Sequence, residues 1–162
     1  MYSIYKKVQD IFLKVFLLIV YLSSIVIPVS MFCQVIARYF LKKPIAGVEE
    51  IATASFIWMV IFGSAILFKE KKHIIVDAFI NKRSEKTKKI IDILSNLLML
   101  IIFIILIYSC AIAIPYQKFY KTVILKIPAV YHIKAFIISL IFMTICCIEN
   151  ILMNLAGDKK NA

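Results

Sequence analysis

The chain has 162 residues, 63% of them apolar and 18% charged, with a mean hydropathy of +0.95. That apolar share exceeds the about 45–50% of a soluble domain, and the 3 Gly and 4 Pro exclude a loop-rich β protein or a disordered one. A formal charge of +11 would suggest nucleic acid in a soluble protein, but here the basic residues fall in the gaps between apolar runs, so an all-α integral membrane protein with no nucleic-acid partner is expected.

In chain order, Ile4, Val8, Ile11, Phe12 and Val15 recur at three- and four-residue spacing, with Lys6, Lys7, Asp10 and Lys14 largely between them. This predicts an N-terminal interfacial amphipathic helix over about 3–14, lying on the inner leaflet. The uncharged run Val15–Ala37 follows, 23 residues long. It exceeds the h-region of a signal peptide and no small-x-small cleavage site follows it, so it is read as a retained anchor and first span, 15–37. The 18 residues Ile51–Phe68 give a second span, about 49–68, and the 25 residues Ile93–Gln117 a third, 93–117.

The fourth span is less regular, because Ala135–Ile148 holds only 14 uncharged residues. Extended to 131–153 it takes in His132, Lys134 and Glu149 near its ends, where long side chains snorkel and charge costs less. Thirteen of the 20 Lys and Arg lie in the N-terminal segment, the 69–92 connection and the C-terminal tail, and seven lie in the other two connections. The excess of positive charge makes both termini and the 69–92 connection cytoplasmic. Within that connection His73–Ile80 is mixed in character and suits the headgroup region. No internal repeat is detected, so an inverted-repeat transport core is not expected.

The chain has no Gly-rich phosphate loop, no HExxH, no CxxC and no Ser-His-Asp set, and the apolar runs Val15–Ala37, Ile51–Phe68 and Ile93–Gln117 of its three clear spans hold no charged residue. Charge inside a span is costly and kept for function, so no enzyme is expected. The two histidines, His73 and His132, fall on opposite predicted sides, which excludes a bis-His haem. Cys33, Cys110, Cys146 and Cys147 sit within apolar stretches without zinc spacing and read as packing residues. No catalytic residue, metal or cofactor is expected.

Two readings fit Glu49 and Glu50 at the outer start of the second span. They stabilise the helix dipole, at about 0.3–1 kcal/mol each, or they contact a partner at the outer face. Arg38 is either a snorkelling anchor beside Tyr39 and Phe40 or a partner for Glu49 or Glu50 that closes the first hairpin. Ala52, Ser55, Met59 and Gly63 share one helical face with Ser64 and Ala65 beside it, a pattern that lets two helices approach closely. Trp58 lies off that stripe at mid-span. His73 and Asp77, at i and i+4, read as a pair that orders the 69–92 connection. Glu149 calls for a cytoplasmic lysine to balance it.

Taken in order, Arg38-Tyr39-Phe40, Glu49-Glu50-Ile51, Trp58, Phe62-Gly63-Ser64-Ala65, His73-Ile74 and Val76-Asp77 resemble the small membrane subunit of the tripartite ATP-independent periplasmic (TRAP) transporters. After about Lys82 the likeness is one of hydropathy alone. The resemblance implies a system in which an extracytoplasmic binding protein delivers an organic anion, a carboxylate or a sialic acid, to a sodium-driven membrane complex. Its large subunit, of about twelve spans, carries substrate and sodium sites and moves like an elevator. The small subunit would brace the static scaffold in the bacterial inner membrane, with basic outer connections that help to dock the binding protein. Two other readings remain open: a stand-alone oligomeric exporter or channel, for which Glu149 is the only candidate coupling carboxylate, and an assembly factor for another membrane complex.

Overall fold

The computed structural model describes residues 2–70 and 85–158, with side chains described over 7–70 and 90–152. Four helices account for most of it: α1 (Tyr2–Phe40), α2 (Val48–Lys69), α3 (Glu85–Gln117) and α4 (Val130–Asp158). Each contains a stretch long and apolar enough to cross a membrane, and no strand is formed among the described residues. Lipid offers the backbone no hydrogen-bonding partner, so a long apolar run has to bond within itself as a helix. The same constraint tolerates Pro28 inside α1 and Pro115 inside α3.

Residues 3–14, read as an interfacial helix, are helical, but they run into the first span without a break. The reason lies in one face of α1. Gln9 and Phe16 are seven residues apart, hence on the same side of a straight helix, and both are buried against the rest of the chain. His132 and Lys134 lie in the first turns of α4, which begins at Val130.

The first connection is shaped by two residues in left-handed conformation, Lys42 (φ 52°) and Gly47 (φ 89°). At Gly47 the backbone favours glycine, and the surroundings are close. L residues resist that φ, and a Cβ there would stand 3.2 Å from Leu125 Cδ2. Between α3 and α4 the chain makes a short two-sided turn around a bridge between Lys121 and Pro128. It is closed by Thr122 N–H to the Ile127 carbonyl and Ala129 N–H to the Tyr120 carbonyl, both 3.0 Å.

α2 packs on both α1 and α4, and α3 packs on α4. Ile61, Phe62, Ala65, Ile66 and Phe68 of α2 are buried against these neighbours, and its remaining surface is apolar too, as suits a helix in lipid. Aromatic rings tie the helices together. Phe16 of α1 lies 4.7 Å from Phe62 of α2 and 5.2 Å from Phe142 of α4, centroid to centroid. Phe68 of α2 meets Phe103 of α3 edge-on at 5.4 Å. Beneath them Ser139 Oγ, fully buried, donates to the Ile61 carbonyl at 2.9 Å and joins α4 to α2 directly.

Candidate functional site: polar clasps at the two ends of the bundle

The polar side chains gather at the helix ends. At the end bearing the first and third connections, Arg38 closes α1 and Glu49 opens α2, and Arg38 Nη2 lies 2.7 Å from Glu49 Oε1. The same carboxylate oxygen accepts from Gln34 Nε2 at 3.3 Å. Gln34 Oε1 in turn accepts the backbone N–H of Ile45 at 3.2 Å, which fastens the first connection to α1. Of the two sequence readings of Arg38, the hairpin-closing pair is the one formed, with Glu49 as its partner.

Glu50 turns the other way. Its two carboxylate oxygens accept the backbone N–H groups of Ile124 and Leu125, both at 2.9 Å. Adjacent carboxylates thus serve different connections, Glu49 the first and Glu50 the third. A hollow of about 430 Å³ between them is bordered by Gln34, Arg38, Glu49, Glu50 and Ile124.

About two turns further along α2, Trp58 Nε1 donates to His132 Nδ1 at 2.8 Å. That bond makes Nδ1 the acceptor, so the neutral ring carries its proton on Nε2. Trp58 therefore packs on protein, linking α2 to α4.

At the opposite end three helices meet in one network. Lys69 Nζ donates to Gln9 Oε1 at 2.6 Å and to Glu149 Oε2 at 2.9 Å, and Gln9 Nε2 donates to the same Glu149 oxygen at 2.9 Å. The lysine expected to balance Glu149 is thus Lys69. The two ends differ in shielding, since the Lys69 and Glu149 side chains are 25% and 11% exposed and those of Arg38 and Glu49 60% and 61%.

The small-residue stripe is divided. Ala52 is buried, Ser55, Met59 and Gly63 are half-buried, and Ser64 is exposed. A Cβ on Gly63 would meet nothing within 4 Å, whereas neighbouring Ala65 is fully buried. The open side of α2 is apolar, with Phe56, Val60 and Leu67 exposed along it. His73 and Asp77 lie outside the described residues.

Reading the residues alone passes over Gln9, Gln34 and His132 as structural partners. One signal was present, because a glutamine beside or within an apolar run is costly unless it is bonded. Among the described residues no three His, Cys, Asp or Glu side chains gather closely enough to hold a metal ion.

Four apolar helices, of which α1, α2 and α4 are tied together by polar side chains, define a multi-pass membrane protein. The model of the DctQ component of the tripartite ATP-independent periplasmic transporters matches residues 27–157, and the chain belongs to that family. Two proteins from Haemophilus influenzae, each named "Putative TRAP transporter small permease protein", are similar to it. One is 36% identical over 92 residues, 55% of this chain and 56% of the relative, and the other is 30% identical over 73 residues, 45% of each. The chain spans about half the length of the curated relatives it matches. The matched family is a transporter component, not an enzyme class.

Proposed function

We propose that this chain is the small permease subunit of a TRAP-type secondary transporter and that it braces the scaffold of the large membrane subunit. The complex takes up an organic anion of the carboxylate or sialic acid class, driven by sodium and supplied by a periplasmic binding protein. It sits in the bacterial cytoplasmic membrane with both termini of this chain inside. The observation that carries the bracing role is the open side of α2. Phe56, Val60 and Leu67 are exposed there beside Gly63, where added bulk meets nothing of this chain. Within lipid, small residues on such a surface let a second protein's helices approach closely. Ser55 and Ser64 flank the same surface, while Arg38, Glu49 and Glu50 hold one end in register and Gln9, Lys69 and Glu149 the other.

Glu149 speaks against a self-sufficient exporter. A coupling carboxylate has to gain and lose its cation, and this one is held by Lys69 and Gln9. The test is reconstitution. Co-expressed with its large subunit, the chain should co-purify with it, and vesicles holding both should accumulate the anion when given a sodium gradient and the binding protein. Vesicles holding this chain alone should stay inert. Transport by the lone chain would overturn the reading.

A further inference from the structure

The third connection, residues 118–129, carries some of the most exposed apolar side chains of the molecule, Phe119 at 87% and Val123 at 88%, with Tyr120 beside them. Three exposed lysines, Lys118, Lys121 and Lys126, are interleaved with them, and the segment contains no Asp or Glu. A connection that projected into water would gain nothing from this composition. Its position gives the composition a use. The segment joins Gln117, where the apolar stretch of α3 ends, to Val130, where that of α4 begins. Its middle is folded back by Glu50, in the first turn of α2, which accepts the N–H groups of Ile124 and Leu125. Leu125 also lies against Gly47, the residue immediately before α2. The middle of the connection is therefore held at the level where α2 enters the bilayer.

We infer that the 118–129 connection is seated in the phospholipid interface, with Phe119, Tyr120 and Val123 among the headgroups and upper acyl chains and the three lysines against lipid phosphates. Glu50 is the positioning residue that holds it there. Aromatic side chains and lysines of span ends favour this layer, because one part of each is apolar and the other needs water or phosphate. Among the described residues, the carboxylate bonded to the segment is that of Glu50, and its oxygens are taken by backbone N–H groups, which leaves the lysines to the lipid. The inference rests on the membrane-spanning fold and is independent of the transport role proposed above.

The test places an indole in the connection. Phe119→Trp or Val123→Trp is made with Trp58→Phe, and the full chain is put into nanodiscs of phosphatidylethanolamine and phosphatidylglycerol. Because Trp58→Phe removes the bond to His132, each reporter is also made in the unaltered chain, with the parent's emission subtracted. The expected emission is blue-shifted. Aqueous iodide should quench it several-fold less than it quenches the unfolded chain, and a nitroxide at headgroup level should quench it more than one deep in the acyl region. Adding Glu50→Ala should raise iodide quenching several-fold while Trp58 emission in the unaltered background stays as it was. Full iodide quenching with no response to either nitroxide would overturn the inference and leave the connection in water, free for a protein partner. An unchanged reporter in Glu50→Ala would overturn the positioning role.

Discussion

Shielding separates the two ion pairs at the ends of the bundle. Lys69–Glu149 is sheltered and shares its charge with Gln9, whereas Arg38–Glu49 stands largely in contact with the surroundings. Glu149→Ala leaves the Lys69 ammonium half-sheltered without its carboxylate and should cost about 1–3 kcal/mol. Arg38→Ala removes an exposed pair and should cost about 0–1 kcal/mol. Replacing both inner partners by apolar residues, Lys69→Met with Glu149→Leu, should restore much of the loss, since the penalty belongs to the stranded charge. Thermal unfolding of the three variants in detergent checks the order; an equal loss for Arg38→Ala and Glu149→Ala contradicts it. Both pairs were partly legible in the sequence. A seven-residue connection leaves Arg38 few partners but Glu49 or Glu50, and Glu149 in an apolar setting demands a cation. Trp58 with His132 was not legible, because residues 74 apart meet only once α2 has settled against α4. Nor was the task of Glu50, whose partners are backbone N–H groups that no side-chain pattern marks.

At the scale of helices, α1 shows where periodicity falls short. Its 39 residues extend about 58 Å at 1.5 Å per residue, far more than the ~30 Å of a hydrocarbon core. The apolar positions Val8, Ile11, Phe12 and Val15 are exposed, whereas the side turned toward the other helices carries Gln9 and Phe16, so it is this second face that keeps the segment on the axis of the first span. A pattern of spacing reports which side of a helix is apolar and is silent on whether the next segment continues the same axis. α2 carries the complementary lesson. Its small residues were visible as a stripe, but the stripe does not say which of them the chain uses internally. Ala65 is fully buried, so Ala65→Leu should overpack and destabilise the isolated chain by about 1–3 kcal/mol. Gly63→Leu points into open space and should leave the isolated chain's unfolding unchanged. It should nonetheless lower the yield of large subunit recovered with the chain. Recovery at wild-type yield would remove Gly63 from the proposed contact.

For the molecule as a whole, the number of spans follows from solvent physics, because a backbone in lipid has no alternative to long apolar helices. The neighbour relations do not follow in the same way. Nothing in the sequence distinguishes an apolar residue facing lipid from one facing another helix, which is why the central place of α2 emerges only in three dimensions. The paired groups sit at both ends, and this arrangement suits a body that must keep its shape while another moves against it. Such a body should fail when one end is released while the other stays shut. Charge reversal at both Glu49 and Glu50 does this. A lysine at 49 faces Arg38 and repels it, and a lysine at 50 cannot accept the N–H groups of Ile124 and Leu125, so the first and third connections both lose their hold on the start of α2. The network of Gln9, Lys69 and Glu149 lies at the other end and should keep the chain folded and inserted. The expected outcome is a normal amount of protein in the membrane with reduced uptake by the reconstituted complex, and a smaller reduction for Glu49→Lys alone, which leaves the bonds of Glu50 to Ile124 and Leu125 in place. Wild-type uptake by the double variant would mean that the two carboxylates only stabilise the start of α2, and would remove them from the proposed bracing role.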